Sequence, residues 1–272
     1  GKDISYNNLL DIDSAIGLLK DLETKKSVFL IHKHNNPCGV AIRDNLLDAY
    51  LDALSCDSVS AFGGILTSNQ AIDIKVAEEI NKLFFEVLIA PNYSDSALDL
   101  LKSKKNRIII KLKSFPINKL QTRSCLNGIL EQDIDDKIEK FEDFKVVTNI
   151  SPNSTKSDDL VLASIIVKHT KSNCIAIVKN KQLIGSGMGQ VSRIDALNQA
   201  IEKSNKFGFD LNESCLASDA FFPFSDCVEI SHANNINSIV QPGGSIKDQD
   251  SIDFCNKNGM SMVFSGIRHF RH

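Results

Sequence analysis

The sequence lacks several features that would assign it to a specialised class of protein. No apolar run approaches the roughly 20 residues of a membrane span, so we expect no membrane partner. The 31 Lys and Arg are balanced by 34 Asp and Glu, which predicts no nucleic-acid partner. No secretory signal opens the chain, and the seven cysteines include no Cys-x-x-Cys pair. These absences predict a cytoplasmic globular protein with reduced thiols in or near its core.

The length and the order of patterns predict an α/β protein. The 272 residues correspond to one large domain or two small ones. Apolar strands alternate with amphipathic helices, beginning with a helix capped at Asp13-Ser14 and a strand at 27–32. A short strand is predicted to enter the turn at Gly63-Gly64. Because the chain begins with Gly1 and not with Met, we expect it to be the C-terminal part of a longer polypeptide.

A polar break at 151–154 divides the chain into similar halves, 1–150 and 151–272. Each half has a strand, a helix containing Asp-Ala, a Ser-Ala-Phe or Asp-Ala-Phe element, and an apolar strand ended by proline. The order suggests a duplicated α/β unit.

The run from Lys33 to Gly39, Lys-His-Asn-Asn-Pro-Cys-Gly, is the strongest candidate for a reactive site. It follows a buried strand, and reactive groups in α/β folds usually lie at strand ends. His34 can move a proton near neutral pH, and the ammonium of Lys33 can stabilise a developing oxyanion. We interpret the Asn-Pro-Cys-Gly segment as a rigid turn that orders both side chains.

His34 and Cys38 also raise the possibility of a zinc deaminase. That signature requires His-x-Glu followed by Pro-Cys-x-x-Cys. Asn36 stands where the glutamate would be and Ala41 stands where the second cysteine would be. We therefore predict no zinc, with Cys38 a small packed residue.

Three motifs of the second half are candidate ligand contacts. The glycines at 185, 187 and 189 predict a tight turn that either joins a strand to a helix or contacts a phosphate, with Arg193 the better anion ligand. The phenylalanines from Phe221 to Phe224 surround a proline, so at least one is expected to line a flat pocket beside Asp226. Gln241 to Ser245 is a polar turn at a strand end.

Taken together, these runs resemble AICAR transformylase, the C-terminal domain of the bifunctional purine-biosynthesis enzymes that also carry IMP cyclohydrolase. The resemblance covers almost the whole chain in the family's order. The matching stretches are SYNN at 5–8, KHNNPCGVA at 33–41, SAFGGI at 60–65, FFEVLIAP at 84–91, KKNRIII at 104–110, KHTKSNCIAI at 168–177, GSGMGQVSR at 185–193, ASDAFFPF at 217–224, QPGGSIKDQD at 241–250 and SGIRHFRH at 265–272.

The resemblance implies duplicated cytidine-deaminase-like three-layer α/β units without zinc. It implies formyl transfer from 10-formyltetrahydrofolate, the co-substrate, to the 5-amino group of AICAR. It also implies a homodimer with active sites at the dimer interface. The implied catalytic pair is Lys33 and His34. The remaining implied roles are nucleotide binding by Asn8, Phe62, Gly63, Glu86, Asn173 and Arg193, with Arg193 near the phosphate, folate contact by Phe221 and Asp226, and support of the substrate and His34 by His272.

Two departures from the family keep alternatives open. The family's Arg-Tyr-Gly stretch and its cyclohydrolase domain, which precede SYNN, are not among these 272 residues. We therefore expect incomplete nucleotide binding by this chain. An inactive nucleotide-binding fragment and a zinc deaminase-like hydrolase remain the alternative functions.

Overall fold

The structure is a computed structural model that describes residues 2–22 and 24–272. In this part of the chain, helices lie at Tyr6–Asp21 (α1), Leu46–Cys56 (α2), Ile74–Ile80 (α3), Asp95–Lys102 (α4), Ser154–Lys168 (α5), Arg193–Lys206 (α6), Asp226–Ala233 (α7) and Asp248–Lys257 (α8). Strands lie at Ser27–Lys33 (β1), Asn36–Arg43 (β2), Gly64–Ser68 (β3), Phe85–Ala90 (β4), Ile108–Lys111 (β5), Leu120–Cys125 (β6), Gly128–Asp133 (β7), Lys145–Val146 (β8), Ile175–Lys179 (β9), Gln182–Gly187 (β10), Cys215–Ser218 (β11), Ser238–Gln241 (β12) and Ser261–Phe264 (β13). The predicted α/β class is confirmed.

In the part of the chain that the structure describes, eleven strands form one mixed sheet in the order β5-β4-β3-β1-β2-β10-β9-β11-β12-β13-β8. Within each half a hairpin, β1–β2 or β9–β10, is followed by a strand antiparallel to its first member and then by parallel strands. The halves meet where β2 pairs with β10 and again where β8, at the end of the first half, pairs with β13. The order helix, hairpin, helix and three strands joined by two helices therefore occurs twice along the chain.

Helices cover both faces of the sheet. On one face, α1 and α5 pack on alternate residues of the hairpin strands, including Leu30, Ala176 and Val178. On the other face, α2, α3 and α4 cover the first half, and α6, α7 and α8 cover the second half. Because side chains alternate between the faces of a strand, both faces of these central strands are apolar. The result is a three-layer α/β/α arrangement.

The close packing of α6 on β10 explains two of the three glycines that were predicted to form a turn. Gly185 and Gly187 lie within β10, and a Cβ on Gly187 would come within 1.8 Å of the Ala196 carbonyl oxygen. The glycines thus let α6 approach the strand, while only Gly189 has the positive φ, +66°, of a turn. The prediction of a glycine turn at 185–189 was wrong for its first three residues.

Two other boundaries differ from the prediction. Helix α1 is capped by Ser5, whose side chain accepts from the backbone N–H of Asn8, and Ser14 lies inside the helix. Residues 58–63 form turns and β3 follows Gly63, so no strand enters that turn.

Among the described residues, the β6–β7 hairpin pairs only with itself, and it is exposed along its length. It carries Cys125, the one exposed cysteine, whereas the other six cysteines are buried as predicted. Within residues 2–22 and 24–272, no helix is both long and apolar enough to cross a membrane.

Candidate active site

The motif residues of both halves lie at one edge of the large sheet. Strand β1 ends at this edge with Lys33, and the antiparallel β3 and its parallel neighbour β4 begin there. Alternation across β2 and β10 brings the start of β9 and the ends of β11, β12 and β13 to the same edge. The first half therefore contributes the amino ends of parallel strands, and the second half contributes their carboxyl ends. Reactive groups in α/β folds usually follow the carboxyl ends of parallel strands, and only the second half presents such ends at this edge.

Lys33 stands at the centre of a group from the first half. Its Nζ donates a hydrogen bond of 2.5 Å to the carbonyl oxygen of Phe62. The next residue, Gly63, has a φ of +72°, and a Cβ there would lie 3.9 Å from Lys33 Nζ. The lysine is thereby directed along the 62–63 turn. Of the predicted nucleotide ligands, Phe62 accepts a hydrogen bond from the predicted catalytic lysine, and Gly63 is the next residue in the chain.

Asn8 and Glu86 form the second pair of this first-half group. Asn8 is buried, and its Nδ2 donates to Glu86 Oε2 over 2.8 Å. This hydrogen bond is the largest influence on Glu86 and lowers the pKa of its carboxyl, with smaller contributions from Lys2 and Lys33. Glu86 is therefore a carboxylate at neutral pH, close to the charge of Lys33.

An exposed aromatic pair covers this group. Phe62 and Phe84 have ring centroids 5.0 Å apart, and both rings are about half exposed. The Gly63 N–H donates to the carbonyl oxygen of Phe84 over 2.8 Å, which fixes the two loops together. Exposed paired rings offer a surface on which a flat heterocycle can stack. Phe84 was not among the predicted ligand contacts, although it lies in the FFEVLIAP motif.

His34 lies on the tight turn between β1 and β2. His34 and Asn35 have positive φ values of 53° and 63°, so the turn is made by these two residues, while Pro37 and Gly39 lie in β2. The prediction that Asn-Pro-Cys-Gly forms the turn was wrong in register. The imidazole of His34 is exposed and makes no hydrogen bond to the described residues. It is free to meet a ligand.

Arg193 and Asn173 lie together in the second half. Arg193 is the first residue of α6, and its Nη2 donates to Asn173 Oδ1 over 3.0 Å and to Asp219 Oδ1 over 2.8 Å. Its Nε donates to Ser218 Oγ. Asp219 is almost fully buried, and its second oxygen has no partner among the described residues. Asp219 lies in the ASDAFFPF motif but was not among the predicted site residues.

The other three predicted residues follow nearby strand ends. Phe221 comes two residues after Asp219 and is partly exposed, and Asp226 begins α7 and accepts from the backbone N–H of Cys227. His272 is exposed with its ring centroid 5.7 Å from that of Phe270. No hydrogen bond among the described residues joins His272 to His34.

The two groups are separated along the edge. Strands β4 and β11, which carry Glu86 and lead to Asp219, are six positions apart in the sheet. At a spacing of about 4.8 Å per strand, the separation is about 29 Å. The turn at His34 lies between them and is tied to the second half, because Asn36 Oδ1 accepts from the Lys171 N–H over 2.9 Å.

Cys38 does not resemble a metal ligand or a nucleophile. It is buried in β2, and burial, helped by Asp57, raises the pKa of its thiol to about 12. Its Sγ donates to the carbonyl oxygen of Ile31. Across residues 2–22 and 24–272, no group of three or more His, Cys, Asp and Glu side chains is placed to hold a metal ion.

The fold and the site define a mixed-sheet α/β protein with two polar groups along one sheet edge. A sequence model of the AICARFT/IMPCHase bienzyme family matches residues 1–203. The chain belongs to this family.

Curated relatives are similar over all 272 residues. Bifunctional purine biosynthesis protein PurH of Bacteroides thetaiotaomicron is 54% identical, covering 100% of this chain and 53% of its own length. The PurH proteins of Caldicellulosiruptor saccharolyticus and Aquifex aeolicus are 48% and 45% identical, with 52% and 53% of their lengths covered. The chain thus spans about half the length of the curated relatives it matches.

Proposed function

We propose that this chain is the AICAR formyltransferase part of a bifunctional enzyme of purine biosynthesis that works in the cytoplasm. It transfers the formyl group of 10-formyltetrahydrofolate to the 5-amino group of AICAR, giving FAICAR. IMP cyclohydrolase activity would lie in the part of the parent protein outside this chain. The observation that carries the proposal is the adjacent Lys33 and His34 on an exposed turn, with the lysine held by Phe62 and the imidazole free.

The amine of AICAR is a poor nucleophile because its lone pair is delocalised into the imidazole ring. His34 takes the amine proton as the nitrogen attacks the formyl carbon. The electron pair of the carbonyl bond moves to oxygen, and the ammonium of Lys33 or the amide of Asn173 stabilises that charge. Collapse of the tetrahedral intermediate breaks the bond to N10 of the folate, which takes up a proton. No covalent enzyme intermediate is required, which agrees with the high pKa of the Cys38 thiol.

The remaining residues would hold the two substrates in line. Asn8, Phe62, Gly63 and Glu86 offer an amide, a ring, a backbone turn and a carboxylate to the nucleotide. Arg193 would bind near the phosphate through Nη1, since its other nitrogens contact Ser218, Asn173 and Asp219. Phe221 and Asp226 would contact the folate, and His272 would support the substrate and His34.

The direct test is formyl transfer to AICAR by the chain and by its full-length parent, side by side. We expect His34→Ala to lower the turnover about 10²–10⁴-fold, because a general base is lost. AICAR binding, measured by calorimetry, should persist. His232→Ala, an exposed histidine on α7, is the matched control and should keep the parent's turnover. A His34→Ala enzyme with half the parent's turnover would contradict the assignment. Binding without turnover by the parent would favour the nucleotide-binding fragment.

We further propose a homodimer whose active sites draw on both subunits. Glu86, on β4, lies about 29 Å along the edge from β11, which is too far for one small nucleotide to span. The Lys33–His34 turn is hydrogen-bonded to the second half of its own chain. A two-fold axis between two chains can bring the first-half group of one against the second half of the other.

Subunit mixing tests this arrangement. Glu86→Ala and Asp226→Ala chains should each be inactive, and their mixed dimers should recover part of the activity because one site keeps both residues. Mixing Glu86→Ala with itself is the control. Mixed dimers that form and remain inactive would place both residues in the site of one subunit.

We also infer that residues 1–150 and 151–272 are two copies of a cytidine-deaminase-like unit without zinc. The repeated element order and the repeated strand pairing support this inference. Strand β8, at Lys145–Val146, pairs with β13 and would cross from the first unit to the second.

A further inference from the structure

We propose that Asp11, Ser14 and Arg271 are positioning residues that hold the turn carrying Lys33 and His34 in its reactive geometry. The inference rests on the proposed formyl transfer, because the rate of that reaction is one of its readouts. None of the three side chains is expected to touch the reacting atoms. They act through the backbone of Asn35.

The turn needs external support. His34 and Asn35 both have the left-handed backbone conformation, which side-chain-bearing residues adopt at a cost in energy. Such a conformation persists only where the surrounding structure holds it. The imidazole of His34 makes no hydrogen bond to the described residues, so its position depends on the backbone, whose carbonyl oxygen at His34 accepts from Asn36 Nδ2 over 2.9 Å.

Helix α1 takes both polar backbone groups of Asn35. The N–H of Asn35 donates to Asp11 Oδ1 over 2.6 Å, and its carbonyl oxygen accepts from Ser14 Oγ over 3.0 Å. Asp11 and Ser14 are three residues apart and so lie on one face of the helix. The peptide groups on either side of Asn35 are thereby fixed to a helix that is itself packed on β1 and β3.

Arg271 connects this contact to the C-terminal segment. Its Nη2 donates to Ser14 Oγ over 3.1 Å, and its Nη1 donates to the His169 carbonyl oxygen over 2.9 Å. Its backbone exchanges two hydrogen bonds with Ser172. The segment bearing His272 is therefore linked to the His34 turn through Arg271, Ser14 and Asn35, in that order.

The second half contains the same device without the reactive residues. Asn180 and Lys181 also have positive φ values, and their N–H groups donate to the two oxygens of Asp159 on α5. Arg43 donates to the carbonyl oxygen of Asn180. This turn lies at the opposite edge of the sheet, between β9 and β10. Asp159 and Arg43 are therefore internal controls for Asp11 and Arg271.

The experiment compares the formyl transfer kinetics of matched variants in the full-length protein. Asp11→Ala, Ser14→Ala and Arg271→Lys should each lower kcat about tenfold or more, because small displacements of a catalytic group slow the reaction. The KM values for both substrates should stay within about twofold, since the substrate-binding side chains are unchanged. Asp11→Asn keeps an acceptor oxygen and should restore most of kcat. Asp159→Ala and Arg43→Lys should lower the free energy of unfolding while keeping kcat.

Hydrogen exchange gives a readout that does not depend on activity. The Asn35 amide should exchange faster in Asp11→Ala than in the parent, whereas Asp159→Ala should leave it unchanged. An unchanged Asn35 exchange rate in Asp11→Ala would overturn the inference, as would equal losses of kcat in Asp11→Ala and Asp159→Ala. If the parent transfers no formyl group, the proposed function fails, and the exchange rate alone then decides whether Asp11 holds the turn.

Discussion

His269 should make the stability of the protein fall as the pH rises from neutral to alkaline. Its Nδ1 lies 2.6 Å from Asp135 Oδ2 and its Nε2 lies 3.0 Å from Glu139 Oε1. Burial disfavours the charged imidazole, but the hydrogen bonds to the two carboxylates outweigh burial and raise its pKa to about 9. The imidazolium joins the C-terminal segment to the stretch before α5.

The sign and size of the effect follow from linkage. The folded-state pKa lies above the unfolded value of 6.5, so the contribution is complete below about pH 6.5 and is lost as the pH rises through about 9. A shift from 6.5 to about 9 corresponds to at most about 3 kcal/mol. Because Asp135 is 42% exposed and water screens that pair, we expect about 1–2 kcal/mol.

Urea unfolding of the parent and of His269→Gln measures this contribution. The difference in the free energy of unfolding should be largest near pH 6 and should shrink by about 1–2 kcal/mol by pH 10. A difference for His269→Gln that stays constant from neutral to alkaline pH would refute the reasoning.

Two further outcomes are expected. His32 is fully buried with both ring nitrogens unpartnered among the described residues, and burial, with His169 and Arg271, lowers its pKa to about 3. As the pH falls below 6.5, the unfolded state therefore binds a proton on this histidine before the folded state does. Relative to the parent, His32→Leu should gain about 2 kcal/mol in the free energy of unfolding, measured in urea, between pH 7 and pH 5. An equal difference at both pH values would contradict this. Elemental analysis should find far less than one zinc per chain and formyl transfer should survive chelation, since the deaminase ligands are missing around His34 and Cys38; about one zinc, with activity lost on chelation, would refute it.

The sequence predicted the elements whose signals are local. The strand at 27–32 depends on an apolar run, and the structure has it as β1. The start of α1 was missed because Asp13-Ser14 is also an acceptable cap. The hydroxyl of Ser14 instead donates a hydrogen bond to the Asn35 carbonyl oxygen. A contact between residues so far apart in the chain leaves no local sequence pattern.

The candidate site was predictable residue by residue but not as an arrangement. Lys33 and Phe62 were identified from their motifs, yet the hydrogen bond between them depends on the antiparallel pairing of β1 with β3. The glycines at 185 and 187 were predicted to form a turn because glycine occurs both in turns and where a helix packs closely on a strand. Only the packing of α6 distinguishes the two.

The two matching turns carry a consequence for how the protein can change during evolution. At 34–35, both the left-handed backbone and the identity of the side chain are constrained, the first by α1 and the second by the proposed chemistry. At 180–181, only the backbone is constrained, because that turn lies at the opposite edge. Natural selection should therefore accept Gly, Asn or Asp at 180–181 in related proteins while retaining His34. After a duplication, one copy of a turn is free to diverge and the other is not.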